Sequence, residues 1–440
     1  MSKSRVGAKG KELYMRSFFV KTKGLPRRFA AVALVIAMMT SLFGCSRGLK
    51  NAVALAEPES GASSSGVDKV ALDGTFYAAY RAYALEMFRL AHKDAGKSFA
   101  ISPFSVMFAL AMVENGASGE TLSQMEEMFG MPRDTMNGYL SSLIDQWSKD
   151  NGLWIANSVW LNNSVADNVR KQFLDICSKT YRASAFRAPF DGSTVSDINN
   201  WVSNNTDGMI RDFVKELDPS LLMMLVNAVL FDQGWEKQFV KDKTQKNEPF
   251  YGEDGQQIGE VDLMCETKNG SYYRDELCTS VSKTYEDYDF RFRVYQPREG
   301  VSLETLIEAL TPEYMRATLE PANQHEAEVT LQLPKFTTDY RCDNMESILM
   351  AMGMTEAFNG GLTEIVDGND LMIDFVIHQV RIEVDEEGTR AAAATGVGVK
   401  LSAAPAYPDQ ITVRLDRPFV YMILAGDNQI PIFMGTYEGK

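Results

Sequence analysis

The chain has 440 residues, 45% hydrophobic, 23% charged and 10% aromatic, the balance of a globular protein and not of a collagen-like, low-complexity or mainly disordered chain. The formal net charge is -15, and residues 1–44 hold nine basic side chains and one acidic one, which leaves -23 on the rest. A body that acidic repels phosphate backbones, which excludes a nucleic-acid partner, and 3 histidines leave little for a zinc site or a histidine-based catalytic centre.

In chain order, Lys21, Lys23, Arg27 and Arg28 precede an apolar run, FAAVALVIAMM, from Phe29 to Met39. That is the length of a signal-peptide apolar region and too short to span a bilayer. Leu42-Phe43-Gly44-Cys45 follows and resembles the bacterial lipobox, in which the cysteine is lipidated and becomes the first residue. Phe43 stands where that pattern has a small residue, and Met15 is an alternative start. Plain secretion with cleavage after Ala56 is the competing reading, but Arg47 and Lys50 separate that site from the apolar run. Residues 1–44 are thus expected as a lipoprotein-type signal, and 45–67, with its EPESGASSSGV, as the anchored Cys45 and a flexible tether. The expected location is the bacterial outer membrane, the cell surface or the extracellular space. Export permits disulfides. Cys177, Cys265, Cys278 and Cys342 show no CxxC pair and no zinc spacing, so buried free thiols are the plainer expectation.

From 68 to 440 there is no second linker and no internal repeat, which reads as one domain. Residues 68–93 carry apolar positions at helical spacing, from Tyr77 and Tyr80 to Leu90 and Ala91. In SFAISPFSVMFALAMV a short strand runs into a buried helix, with Ser102 as N-cap and Pro103 at the first helical position. A further helix is expected from Gly119 to Gly130, and others over 170–186 and 196–214. The apolar run 222–231 reads as a buried strand, as do 328–333, 376–384, 411–415, 419–426 and 430–437. Helices lead and strands follow, which is an α+β order and not a βαβ repeat.

Residues 386–410, EEGTRAAAATGVGVKLSAAPAYPDQ, fit no regular element. The strands after them must rejoin the preceding sheet, so they form a long loop inside the domain, a kind of segment that is usually functional or disordered. With period two, Thr389, Ala391, Ala393, Thr395, Val397 and Val399 share one face, all small or β-branched, while Arg390 and Lys400 lie on the other. Such a loop can act as a strand; its four alanines suit a helix equally.

EEGTRAAAATGV resembles the reactive-loop hinge of the serpins. FAISPFSVMFALAMVENGASGET, INNWVSNNTDGMI, LVNAVLFDQGWEKQF, LQLPKF, VIHQVRIEVDEEG and DRPFVYMI resemble other blocks of that family, in the family's order over about 370 residues. The resemblance implies a single α+β domain with three β-sheets, about nine helices and an exposed reactive-centre loop. It implies a single-use inhibitor of serine proteases, with cysteine proteases a second class open to the same trap. It requires no cofactor and no metal, and a monomer is expected. The cut loop enters the main sheet and the acyl-enzyme is trapped. By the same resemblance Glu386, Gly388, Thr389, Ala391, Ala393 and Thr395 form the hinge. Ser102, Ser105, Asn227 and His378 form the shutter beneath the opening strands, and Trp235 and Glu386 the breach where the loop first enters. Pro418 and Phe419 belong to a core strand. Arg390 replaces the family's usual acidic residue on the outward face, and Gly396 and Gly398 weaken an inserted strand. Counted forward from Gly388, family spacing puts the scissile bond at Ser402-Ala403; counted back from DRPF it falls at Tyr407-Pro408, where the proline blocks most serine proteases. Lys400 suits trypsin-like enzymes, and Leu401 and Ser402 suit chymotrypsin-like and elastase-like ones, so a broad spectrum is expected.

Three other readings compete. A non-inhibitory serpin could serve as a binding or carrier module, although a small, Ala-rich hinge argues against it. A structural surface lipoprotein leaves the hinge unexplained. A serine acyl hydrolase rests on Ser280-Val281-Ser282-Lys283, whose SxxK spacing lacks the companion SDN and KTG elements.

Overall fold

The apolar stretch after Pro103 is the spine of the molecule. In the computed structural model, which describes residues 49–58, 70–146, 152–374, 376–389 and 409–439, Pro103–Glu114 is a helix in which every residue is buried. A helix apolar on all sides has no solvent face to offer, so neighbours enclose it completely. Ser102 caps it by accepting the Ser105 N–H. The preceding helix starts at Gly74 and not at 68, because the Asp73 carboxylate accepts the N–H groups of Thr75 and Phe76. It ends at Ala95, where Gly96 turns the chain with a φ of 60°.

Two expected helices are shorter than their sequence patterns. Lys171–Lys179 stops before Arg182, which is left-handed (φ 48°), and the chain continues as the strand Ser184–Ala188. Gly192–Asn205 starts under an Asp191 cap and stops before the left-handed Asp207 and Gly208. The described residues hold ten α-helices.

Seventeen strands form two hydrogen-bonded networks. The first runs Val53–Ala56, Ser184–Ala188, Leu153–Asn162, Met223–Phe231, Val376–Val384, Gly388–Thr389, Gln233–Gly234, with Phe336–Cys342 on the far side of Val376–Val384. The second is built around the 18-residue strand Gln257–Arg274. Its start, as far as Leu263, pairs with Gln245–Tyr251, its middle from Leu263 to Tyr272 with His325–Pro334, and its end from Tyr272 with Cys278–Thr284. One strand thus carries the network from a second sheet into a third, and the fold is the α+β domain with several sheets that the sequence implied. The main core lies between the sheets and the buried helix. A second core lies on the other face of the first sheet, where Ile198 and Trp201 of Gly192–Asn205 cover Met224, Val226 and Ile377.

The signal segment and Cys45 lie outside the described residues. The expected tether over 45–67 is corrected in part: Val53–Ala56 is an edge strand antiparallel to Ser184–Ala188. Just before it, the buried Asp197 carboxylate accepts the backbone N–H groups of Lys50, Asn51 and Ala52, each at 2.8 Å. The domain therefore begins by residue 50 and not at 68. The polar sequence there hides its anchor, because backbone groups do the binding. Cys177, Cys278 and Cys342 are buried free thiols, and Cys265 is a half-buried one.

Candidate functional site

The first sheet has a slot at its centre. Met223–Phe231 and Val376–Val384 run parallel but pair at two positions only, Val376 with Leu225 and Ile377 with Val226. Beyond those pairs the strands part. At the far end the gap is held by Gly388–Thr389, a two-residue strand that pairs with Val384 on one side and with Gln233–Gly234 on the other.

Where the strands part, four expected side chains meet. His378 Nε2 accepts the Ser102 N–H at 3.0 Å, and the Ser102 hydroxyl donates to the Ile432 carbonyl at 2.8 Å. The Ser105 hydroxyl donates to Asn227 Oδ1, and the Asn227 amide donates to the Ser105 carbonyl at 3.1 Å and to Asn157 Oδ1 at 2.6 Å. All are buried, and burial pushes the His378 imidazole down to about 4, so it is a neutral acceptor at physiological pH. Asn157 is a member that sequence reasoning missed. Its one signal is an amide inside the mostly apolar run LWIANSVW.

At the slot's open end, Trp235 is stacked on Tyr285 with centroids 4.5 Å apart, and its indole donates to the Asp385 carbonyl at 2.9 Å. The Trp235 and Phe239 N–H groups donate to the carbonyls of Glu387 and Glu386. The Glu386 side chain is buried and accepts from Thr244 at 3.0 Å and from Lys335 at 2.9 Å. Burial alone would raise its carboxyl, but these hydrogen bonds outweigh burial and hold it below the ordinary range. Lys335, Thr244 and Tyr285 were not singled out by the sequence.

The described part of the expected hinge, as far as Thr389, leaves a turn in which Asp385 Oδ1 accepts the N–H groups of Glu387 and Gly388. Gly388 must be glycine: a Cβ there would stand 2.2 Å from the Gln233 carbonyl oxygen and 2.8 Å from the Gly234 Cα. Thr389 is 1% exposed, and its hydroxyl shares a 2.6 Å hydrogen bond with Tyr285. Ala391, Ala393 and Thr395, and the bond candidates Lys400, Leu401, Ser402 and Ala403, lie outside the described residues.

The hydrolase reading fails on geometry. Ser280 and Lys283 lie on one strand, Cys278–Thr284, at an odd separation, so they point to opposite faces. The Ser280 hydroxyl donates to the Val294 carbonyl, and Lys283 is held by Glu266 and by the Lys237 carbonyl. Among the described residues no cluster of His, Cys, Asp or Glu could hold a metal ion.

Comparison with known proteins agrees with this layout. The family described as Serpin (serine protease inhibitor) matches residues 78–438. Serpin A3-6 of Bos taurus is 30% identical over 370 residues, 80% of this chain and 86% of its own length. A serpin-like protein of Thermococcus kodakarensis is 30% identical over 344 residues, 76% of this chain and 79% of its own. The thermophilic serpin tengpin in its native state superposes with a TM-score of 0.78 at 32% identity, covering 89% of this chain and 100% of tengpin. Tengpin in its latent state superposes at 0.71 and 31% identity, covering 84% and 99%.

Proposed function

The chain belongs to the serpin family, and on that premise we propose that it is an irreversible suicide-substrate inhibitor of serine proteases. Its cut loop becomes the missing strand of the main sheet and strands the protease as an acyl-enzyme. The observation that carries the proposal is the register of Gly388–Thr389. Two further steps along the loop match two steps back along each neighbour. Continued so, Ala391 enters between Phe231 and Ile382, Ala393 between Val229 and Val380, and Thr395 between Asn227 and His378. Those neighbours face the main core or the buried amide cluster, where bulk or charge is costly. The loop residues that reach them are small. Between them, Arg390 falls beside Asp232 and Glu383 on the outward face, so its charge meets two carboxylates. Insertion beyond Thr395 must separate the two pairs that close the slot. The higher TM-score with native tengpin supports an uninserted starting state.

The test mixes residues 46–440 with trypsin, chymotrypsin and a neutrophil-type elastase. A covalent band at the summed mass that survives boiling in detergent is expected for each. Mass mapping should place cleavage after Lys400, Leu401 or Ser402 according to the enzyme. Clipped protein beside fully active protease would sink the inhibitor reading and leave the carrier or structural one. Anchoring at Cys45 is part of the same proposal: labelling cells with an alkyne fatty acid should mark the wild type and not Cys45→Ser.

A further inference from the structure

A cavity of about 370 Å³ opens beside the strands Cys278–Thr284 and Phe290–Pro297, below the end of the helix Pro312–Leu319. Its charged walls are Lys268, Lys283, Arg291 and Arg293 against Glu266 and Glu326. One pair is already spent internally: Lys283 lies 2.5 Å from Glu266 with both side chains buried. That leaves three cations facing Glu326, which sits exposed on the rim.

Arg293 is the unusual member. It is 4% exposed, yet its guanidinium touches no carboxylate among the described residues. One terminal nitrogen donates to the Ser282 hydroxyl at 3.1 Å, and the other to the Thr318 carbonyl at 2.8 Å, at the negative end of the Pro312–Leu319 helix. The Tyr295 ring lies 5.6 Å away. The Nε–H is buried with no acceptor. A buried cation normally has a counter-charge, and an orphaned donor on one carries a full desolvation cost. Arg291, two residues away on the same strand face, and Lys268 opposite are half-buried and have no ion-pair partner within 4 Å among the described residues. Gln324, on the same wall, has a buried Oε1 with no donor.

We propose that this cavity binds a small oxyanion, a carboxylate or a phosphate group, with Arg293 as its buried anchor and Arg291 and Lys268 closing on it. Gln324 Oε1 is then placed to accept from a hydroxyl on the same ligand. Leu319, Val329 and Leu331 give the remainder of the cavity an apolar wall for the ligand's body. The site is independent of the reactive loop and of the inhibitor reading.

The test is isothermal titration of residues 46–440 with inorganic phosphate and, separately, with benzoate, each up to ~10 mM, which reaches weak millimolar affinities. Saturable binding of either is expected. Benzoate above phosphate identifies an organic acid as the ligand type, and phosphate above benzoate a phosphate ester. Arg291→Gln and Lys268→Gln, at half-buried positions where folding is secure, should each weaken binding about tenfold, the loss of one charge-assisted hydrogen bond. Arg293→Met should abolish it, with its fold checked by circular dichroism. No binding of either probe by the wild type, or binding that all three variants leave unchanged, overturns the proposal.

Discussion

Two buried titratable groups pull the stability of this protein in opposite directions, and their windows overlap. Glu114, the last residue of the buried helix, is fully buried, and neither carboxylate oxygen has a hydrogen-bond partner. Burial pushes its carboxyl up to about 8 from 4.5, with Glu126 adding to the effect and Arg133 opposing it; the negative end of its own helix works in the same direction. The folded state therefore holds a proton that the unfolded chain has lost. The stability this confers is complete below pH 4.5 and drains away as pH rises through 8. His378 is the reverse case. Its folded value of about 4 lies below the ordinary 6.5, so its stability is present above 6.5 and lost as pH falls through 4. Each slope is about 1.4 kcal/mol per pH unit. Between 4.5 and 6.5 they cancel. From 6.5 to 8 the Glu114 slope stands alone and removes about 2 kcal/mol. Above 8, Lys283, which burial pushes down to about 8, begins to act, so the measurement stops there. Urea unfolding midpoints followed by tryptophan fluorescence at half-unit pH steps should fall across 6.5–8 in the wild type and stay level in Glu114→Gln. His378→Gln should unmask the Glu114 slope, so that the decline begins near 4.5. A wild type whose midpoint is level or rising between 6.5 and 8 would refute the reasoning, because Glu114 would then be ionised and paired in the fold.

Three other perturbations test separate parts of the site. Gly388→Val places side-chain atoms against the Gln233 carbonyl and should unseat the hinge at a cost of about 1–3 kcal/mol; more rapid proteolysis within residues 385–400 is the readout. Asp197→Ala orphans three N–H groups and releases the strap at 50–56, with an expected loss of about 2–3 kcal/mol in urea and a new protease-sensitive site before residue 57. Arg390→Glu gives this chain the family's usual acidic residue, yet here it would set a carboxylate beside Asp232 and Glu383. The inhibitor needed per protease inactivated should rise about twofold to fivefold, the scale of one like-charge cross-strand contact.

What could be read from the sequence was whatever one residue type states by itself. An all-apolar run with Ser102 and Pro103 at its head is a buried helix in almost any surroundings, and an apolar run such as 223–231 is a central strand. The hinge reading came from the resemblance of EEGTRAAAATGV, because its row of small side chains suits a strand and a helix equally. The strand Gln257–Arg274 was not legible, since it changes sheets midway and its exposure follows no fixed period. The strap escaped because its partner is a carboxylate gripping backbone groups, which every residue has. The Lys335–Glu386–Thr244 contact joins three distant segments whose residues are ordinary one at a time. Gly388 is the opposite case: resemblance marked it, and the Gln233 carbonyl supplies the reason.

The strap also sets a length. Asp197 fixes the chain at Lys50. If Cys45 carries a lipid, five residue steps separate it from Lys50, a span of at most ~18 Å fully extended. A tether of that length would hold the domain close against the membrane, so that inhibition as proposed above would act on proteases at that surface and not on those farther out.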